Sequence, residues 1–174
     1  DLILQGFRRE FAGGPRRPAP PVPSHPLSHG ERLLVELFLD SPEAREEMLE
    51  RASAATAEQN LASTAIFAAM RAAHAAELPF EFAAVEGRLE ERDRDTLSRI
   101  VFDRDRRPVS IEEGRQALAG IERRGWERDY RRVRREIDEA ERAGDRPRVL
   151  ELLAGKVALE RRLGMGRPGS RAGG

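Results

Sequence analysis

Carboxylates at alternate positions are the first feature of this chain whose spacing could do chemistry. Asp93-Arg94-Asp95 and Asp103-Arg104-Asp105 set two Asp side chains two residues apart, as loops that wrap calcium do. Such a loop also needs Gly at its sixth position and Glu at its twelfth. Those positions are Ser98 and Arg104 in the first case, and Pro108 and Gly114 in the second, so salt-bridged surface is the better account. Histidine offers no more. His74 stands on an Ala-rich stretch with no Ser or carboxylate four residues away, Glu77 being the nearest acid, and reads as a structural or surface residue. His25 and His29 have helical spacing, but Pro26 lies between them, which argues against a shared metal. The absence of Cys excludes disulfides, thiolate zinc sites and a Cys nucleophile. The glycines form no phosphate-cradling motif. No catalytic group, cofactor or metal is therefore expected in this chain, and it is not read as an enzyme.

Cations gather at one place. Arg123, Arg124, Arg128, Arg131, Arg132, Arg134 and Arg135 are interleaved with Trp126 and Tyr130, as a surface that touches a nucleic-acid backbone can be. Glu122, Glu127, Asp129, Glu136, Asp138 and Glu139 alternate with them, so a solvated helix face laced by i, i+4 pairs is the default reading. Over the whole chain, 31 Lys and Arg balance 31 Asp and Glu. No overall field draws the molecule to nucleic acid or to an acidic membrane, and any nucleic-acid contact must be local.

The elements that position these residues are helices. Charged residues make up 36% of the 174 residues and aromatics 5%, with Ala, Glu, Leu and Arg dominant, a composition that favours helix and offers little for strands. No apolar run approaches the ~18 residues that cross a bilayer, and a cytoplasmic protein without membrane contact is expected. The chain begins at Asp1 rather than Met, and is expected to be part of a longer protein.

Residues 1–29 contain Gly13-Gly14-Pro15-Arg16-Arg17-Pro18-Ala19-Pro20-Pro21-Val22-Pro23 and read as a disordered Pro-rich linker. From Gly30, Leu33, Leu34, Leu37 and Phe38 predict an amphipathic helix. Asp40-Ser41-Pro42-Glu43 ends it and starts a second, with Ser41 capping and Pro42 in the first turn, and that helix carries Met48, Leu49 and Ala52. Asn60 is a plausible cap for a third helix, whose Leu61, Ala65, Phe67, Ala68 and Ala72 allow close packing. Leu78-Pro79-Phe80 interrupts; Phe82, Val85 and Leu89 form a fourth piece, and Leu97, Ile100, Val101 and Phe102 a fifth. These pieces form a small bundle over 30–122. Ser110-Ile111-Glu112-Glu113 then restarts a helix with a capping box, and that helix can run past Leu118, Ile121 and Gly125 to become the longest in the chain. Gly125 is a candidate joint between the bundle and the C-terminal segment.

A helical hairpin over 123–163 turns at Gly144-Asp145. Trp126, Tyr130, Val133, Ile137 and Ala140 recur at spacings of four, three, four and three, the seam of a helix pair. After the turn, Val149, Leu152, Leu159 and Leu163 form one stripe, and Leu150, Leu153 and Val157 a second, displaced around the helix. One neighbouring helix cannot cover both, so a surplus apolar stripe is left for docking. Residues 164–174, rich in Gly, read as a disordered tail.

The segments "ERLLVELFLDSPEAREEML", "LASTAIFAAMRAA" and "GWERDYRRVRREIDEAERAGDRPRVLELLAGKVALERRLG", preceded by a Pro-rich spacer, resemble the C-terminal helicase-interaction region of bacterial DNA primase over roughly residues 30–163. The last is the most specific: Ile137, Ala140, Glu141, Gly144, Asp145, Leu152, Leu153, Leu159, Arg161, Arg162 and Leu163 stand in matching places. The glycines of the long helix, Gly155 and Lys156 depart from the pattern. The resemblance implies a bundle and hairpin that bind the N-terminal domains of the hexameric replicative helicase, with primer synthesis carried out by domains outside this chain. On that reading Trp126 and Tyr130 brace the hairpin, Val149, Leu152, Leu159 and Leu163 dock, and Arg161 and Arg162 form a polar rim. The isolated chain is expected to be a monomer. The reading from a different class is a nucleic-acid-binding module that uses the patch from Arg123 to Arg135.

Overall fold

Pro42 has no N–H to offer a preceding turn, and Ser41 beside it accepts from the Ala44 N–H at 3.1 Å, so one helix stops and the next begins with a single residue between them. Such local signals set most boundaries in this computed structural model, which describes residues 26–76 and 80–165. It contains α1 (His29–Asp40), α2 (Pro42–Gln59), α3 (Thr64–Ala75), α4 (Phe82–Glu86), α5 (Glu91–Val101), α6 (Ile111–Ala143) and α7 (Arg146–Arg162). No strand occurs among the described residues, and the fold is all-α. The Pro-rich linker up to His25, the Leu78-Pro79 interruption and the tail beyond Met165 lie outside the described residues.

Two capping boxes fix the entries of α1 and α6. The Ser28 hydroxyl accepts from the Glu31 N–H, and that of Ser110 from the Glu113 N–H, while each Glu carboxylate accepts from the cap N–H at 2.9 Å. Glu31 does more than cap. Its second carboxylate oxygen accepts from the Ser63 N–H at 3.1 Å and the Ser63 hydroxyl at 2.8 Å, tying the start of α1 to the start of α3. Burial alone would raise the Glu31 pKa, but these bonds from Ser28 and Ser63 together hold it below the ordinary value.

Asn60 does not cap α3. It is the C-cap of α2, at φ 50° and ψ 49°, a left-handed conformation that Asn tolerates better than most residues with a β-carbon. Ser63 takes the N-terminal position of α3 instead. The Ala-rich face of α3 is also turned the other way: Ala65, Ala68 and Ala72 are exposed, while Ile66, Phe67, Ala69, Met70 and Ala73 face the core. Bulk decides the rotation, because burying Ile, Phe and Met removes far more apolar area than burying Ala.

The main core joins α1, α2, α3, Val85, Leu89, α5 and the first half of α6 around Phe38 and Phe67, whose rings meet edge to face at 5.6 Å. Arg45 is buried at its margin, donating to the Phe38 carbonyl at 2.6 Å with its guanidinium 4.0 Å over the Phe80 ring. Phe102, read as part of the fifth helix's apolar face, is 73% exposed and touches only the edge of the core through the Phe82 ring.

The long helix α6 is unbroken over 33 residues, about 50 Å at 1.5 Å per residue. Gly114, Leu118, Ile121 and Gly125 form its buried bundle face. Gly125 is no gap in the helix. A β-carbon there would lie 2.7 Å from the Gln59 side-chain nitrogen, which donates to the Ile121 carbonyl at 2.9 Å. Its lack of a side chain lets the end of α2 approach.

Candidate functional site

Beyond Gly125 the apolar face of α6 turns about the helix axis, from Leu118 and Ile121 to Tyr130, Val133, Ile137 and Ala140. A second, separate core forms there. Ile137, Ala140 and Leu152 are buried together, with Val133 and Val149 packed against them. The reversal that brings α7 back is local: Gly144 takes φ 71° as the C-cap of α6, and the Asp145 side chain accepts from the Arg148 N–H at 3.1 Å as the N-cap of α7.

The two apolar stripes of α7 are now distinguishable. Leu152 is buried in the hairpin's core with Val149 packed against it, and Leu159 and Leu163 further along the same stripe are half-buried, Leu163 lining an open pocket beside Tyr130. Leu150, Leu153 and Val157 face outward, at 69%, 38% and 45% exposure. The more exposed of the two stripes is thus that of Leu150, Leu153 and Val157. Its selection has a physical cause. Val149, Leu152, Lys156, Leu159 and Leu163 run at spacings of three, four, three and four, long enough to follow α6 for the length of α7, whereas the other stripe has three large residues. Lys156 is tolerated in the seam because its amine reaches Glu160 at 3.4 Å, and Glu160 also accepts from the Tyr130 hydroxyl at 3.2 Å.

Trp126 and Tyr130 both contact the far end of α7. The Arg162 guanidinium lies 5.9 Å over the Trp126 ring, and Tyr130 is bonded to Glu160 as above. Arg161 and Arg162 are both exposed, Arg162 with its guanidinium over the Trp126 ring. Between α2, α6 and the end of α7 lies an open groove of about 420 Å³, lined among others by Arg51, Glu58, Trp126, Arg128 and Arg162. Its charges are of both signs, and Arg51 is already bonded to Glu122 at 2.9 Å.

The basic stretch of α6 is laced by carboxylates. Arg123 pairs with Glu127 at 3.0 Å, and Arg132 with Asp129 at 3.2 Å and with Glu136 at 3.6 Å. His74 is exposed on α3. Asp93 and Asp95 sit in the helical α5 rather than a loop, and Asp103 bonds the Asp105 N–H at 3.0 Å and pairs with Arg32. Among the described residues no cluster of three or more His, Asp or Glu could hold a metal ion, and no helix is long and apolar enough to cross a membrane.

The outward stripe is visible in the sequence as the shorter of two apolar runs, Leu150, Leu153 and Val157. The signal that separates the two is the longer three-four run containing Lys156 and, one turn on, its partner Glu160. Family models, curated proteins and solved structures give no match to this chain.

Proposed function

We propose that this chain is a non-catalytic docking module that binds the N-terminal domains of a hexameric replicative helicase, in the manner of the primase C-terminal region it resembles, and so brings primer synthesis to the site of unwinding. The observation that carries the reading is the outward stripe of α7. Leu150, Leu153 and Val157 lie on one line of a helix whose opposite side is already committed to α6. Apolar anchors at i, i+3 and i+7 on a braced helix are the pattern of helix-in-groove recognition. Ala154 and Ala158, both exposed, widen the strip without blocking a close approach.

Calorimetric titration of the chain with the cognate helicase tests this. Binding at or below tens of micromolar is expected, and L150D/V157D is expected to weaken it about a hundredfold or more, since truncated central anchors commonly cost ~2 kcal/mol each. The variant's circular dichroism should match that of the parent, because neither side chain is in a core. No binding, or binding that both substitutions leave untouched, overturns the reading.

A further inference from the structure

Resting on that docking reading, we infer that the groove receiving α7 is apolar along its floor and carries carboxylates at both ends, about 22 Å apart at the helical rise per residue. The chain as a whole has no net charge, but α7 does not share this balance. Arg146, Arg148, Lys156, Arg161 and Arg162 face only Glu151 and Glu160 within the helix. Three of the five cations are occupied: Arg148 by Glu151 at 2.7 Å and Glu136 at 3.5 Å, Lys156 by Glu160, and Arg162 by the Trp126 ring. Arg146 and Arg161 are exposed and form no ion pair among the described residues. Their positions are specific. Arg146 is four residues before Leu150 and Arg161 four residues after Val157, so both lie on the line of the outward stripe, one turn beyond each end.

The surface is thus an apolar strip about 10 Å long between Leu150 and Val157, closed at each end by an uncommitted guanidinium. A guanidinium matches a carboxylate bidentately, and at the edge of an apolar contact it supplies register rather than most of the affinity. The width of the strip argues for a groove between helices. Its three large side chains fall within roughly 60° of arc, whereas a helix lying on a bilayer buries a broad apolar face.

The test uses the complete chain and the cognate helicase, titrated in a salt series from low to high ionic strength. R146E/R161E is expected to weaken binding tenfold or more at low salt, with the difference shrinking towards parity at high salt. L150D/V157D should weaken binding at every salt concentration. R134E/R135E, on an exposed part of α6 away from the stripe, should leave affinity within twofold. Binding lost in L150D/V157D but unchanged in R146E/R161E removes the acidic ends and leaves the docking reading standing. No binding of the parent chain at tens of micromolar removes both. Uptake of the parent, but not of L150D/V157D, by vesicles rich in phosphatidylglycerol, at affinity exceeding that for the helicase, assigns the stripe to a membrane surface and overturns the inference.

Discussion

Gly114 and Gly155 are both helical glycines, and their surroundings give opposite signs to the same substitution. A β-carbon at Gly114 would come within 2.2 Å of the Leu37 side chain and 3.2 Å of Met48, both fully buried. The roughly 1 kcal/mol gained by replacing helical Gly with Ala is outweighed there by overpacking of about 1–3 kcal/mol. G114A should lower the urea midpoint. At Gly155 nothing lies within 4 Å of the added carbon, so G155A should raise the hairpin's stability by about 0.5–1 kcal/mol, seen as slower amide exchange in α7. Glu31 supplies a pH dependence. Its folded pKa is below the unfolded one, so its stabilising contribution is complete above about pH 4.3 and is lost as pH falls through the lower folded value. Urea midpoints between pH 7 and pH 3 should therefore decline more gently in E31Q than in the parent. Glu113, lowered to about 2 by Arg107 and Ser110, keeps its cap on α6 further into acid. The caps at Ser41 and Ser110 were legible from the sequence because their partners stand three residues away. The bonds that Ser63 donates to Glu31 were not, since nothing local specifies a contact across 32 residues.

At the scale of the element, α7 is the informative case. The sequence showed two apolar stripes and a turn at Gly144-Asp145, and the structure contains both, because Gly in a left-handed cap and Asp at an N-cap act within a few residues. Which stripe faces α6 depended on matching the whole run against Tyr130, Val133, Ile137 and Ala140, and on Lys156 finding Glu160. The sequence shows the longer run but not which helix it faces, since a contact between Tyr130 and Glu160 across 30 residues has no local signal. Leu152→Ala tests the assignment from the inside. It should destabilise the hairpin by about 2–3 kcal/mol, releasing α7 amides to exchange, while Leu150→Ala should leave that exchange nearly unchanged. The rotation of α3 was missed for a related reason: Ala is compatible with either side of a helix, and only the demands of Ile66, Phe67 and Met70 fix its orientation.

For the whole molecule, the two cores lie along one helix and share no buried apolar residue. The larger is built from α1 to α6, the smaller from five residues of the hairpin. Opening of the smaller should therefore require less free energy than global unfolding. Hydrogen exchange is expected to show α7 and the far half of α6 opening first, with α1, α2 and α3 retaining protection; identical opening energies throughout would mean a single cooperative unit. The all-α architecture was legible because composition and three-four periodicity carry it. The proposed joint was not, because a glycine that lets Gln59 approach looks the same in one dimension as a glycine that lets a helix bend.

That unbroken α6 makes the molecule a lever. A force applied to the hairpin near Gly144 does not take up slack in a tether; it tilts a stiff arm whose root is held among Leu37, Met48 and Gln59. Displacement at the tip is delivered to the interior of the bundle as torque, and the direction in which that one rod leaves its socket sets where α7 stands relative to α1.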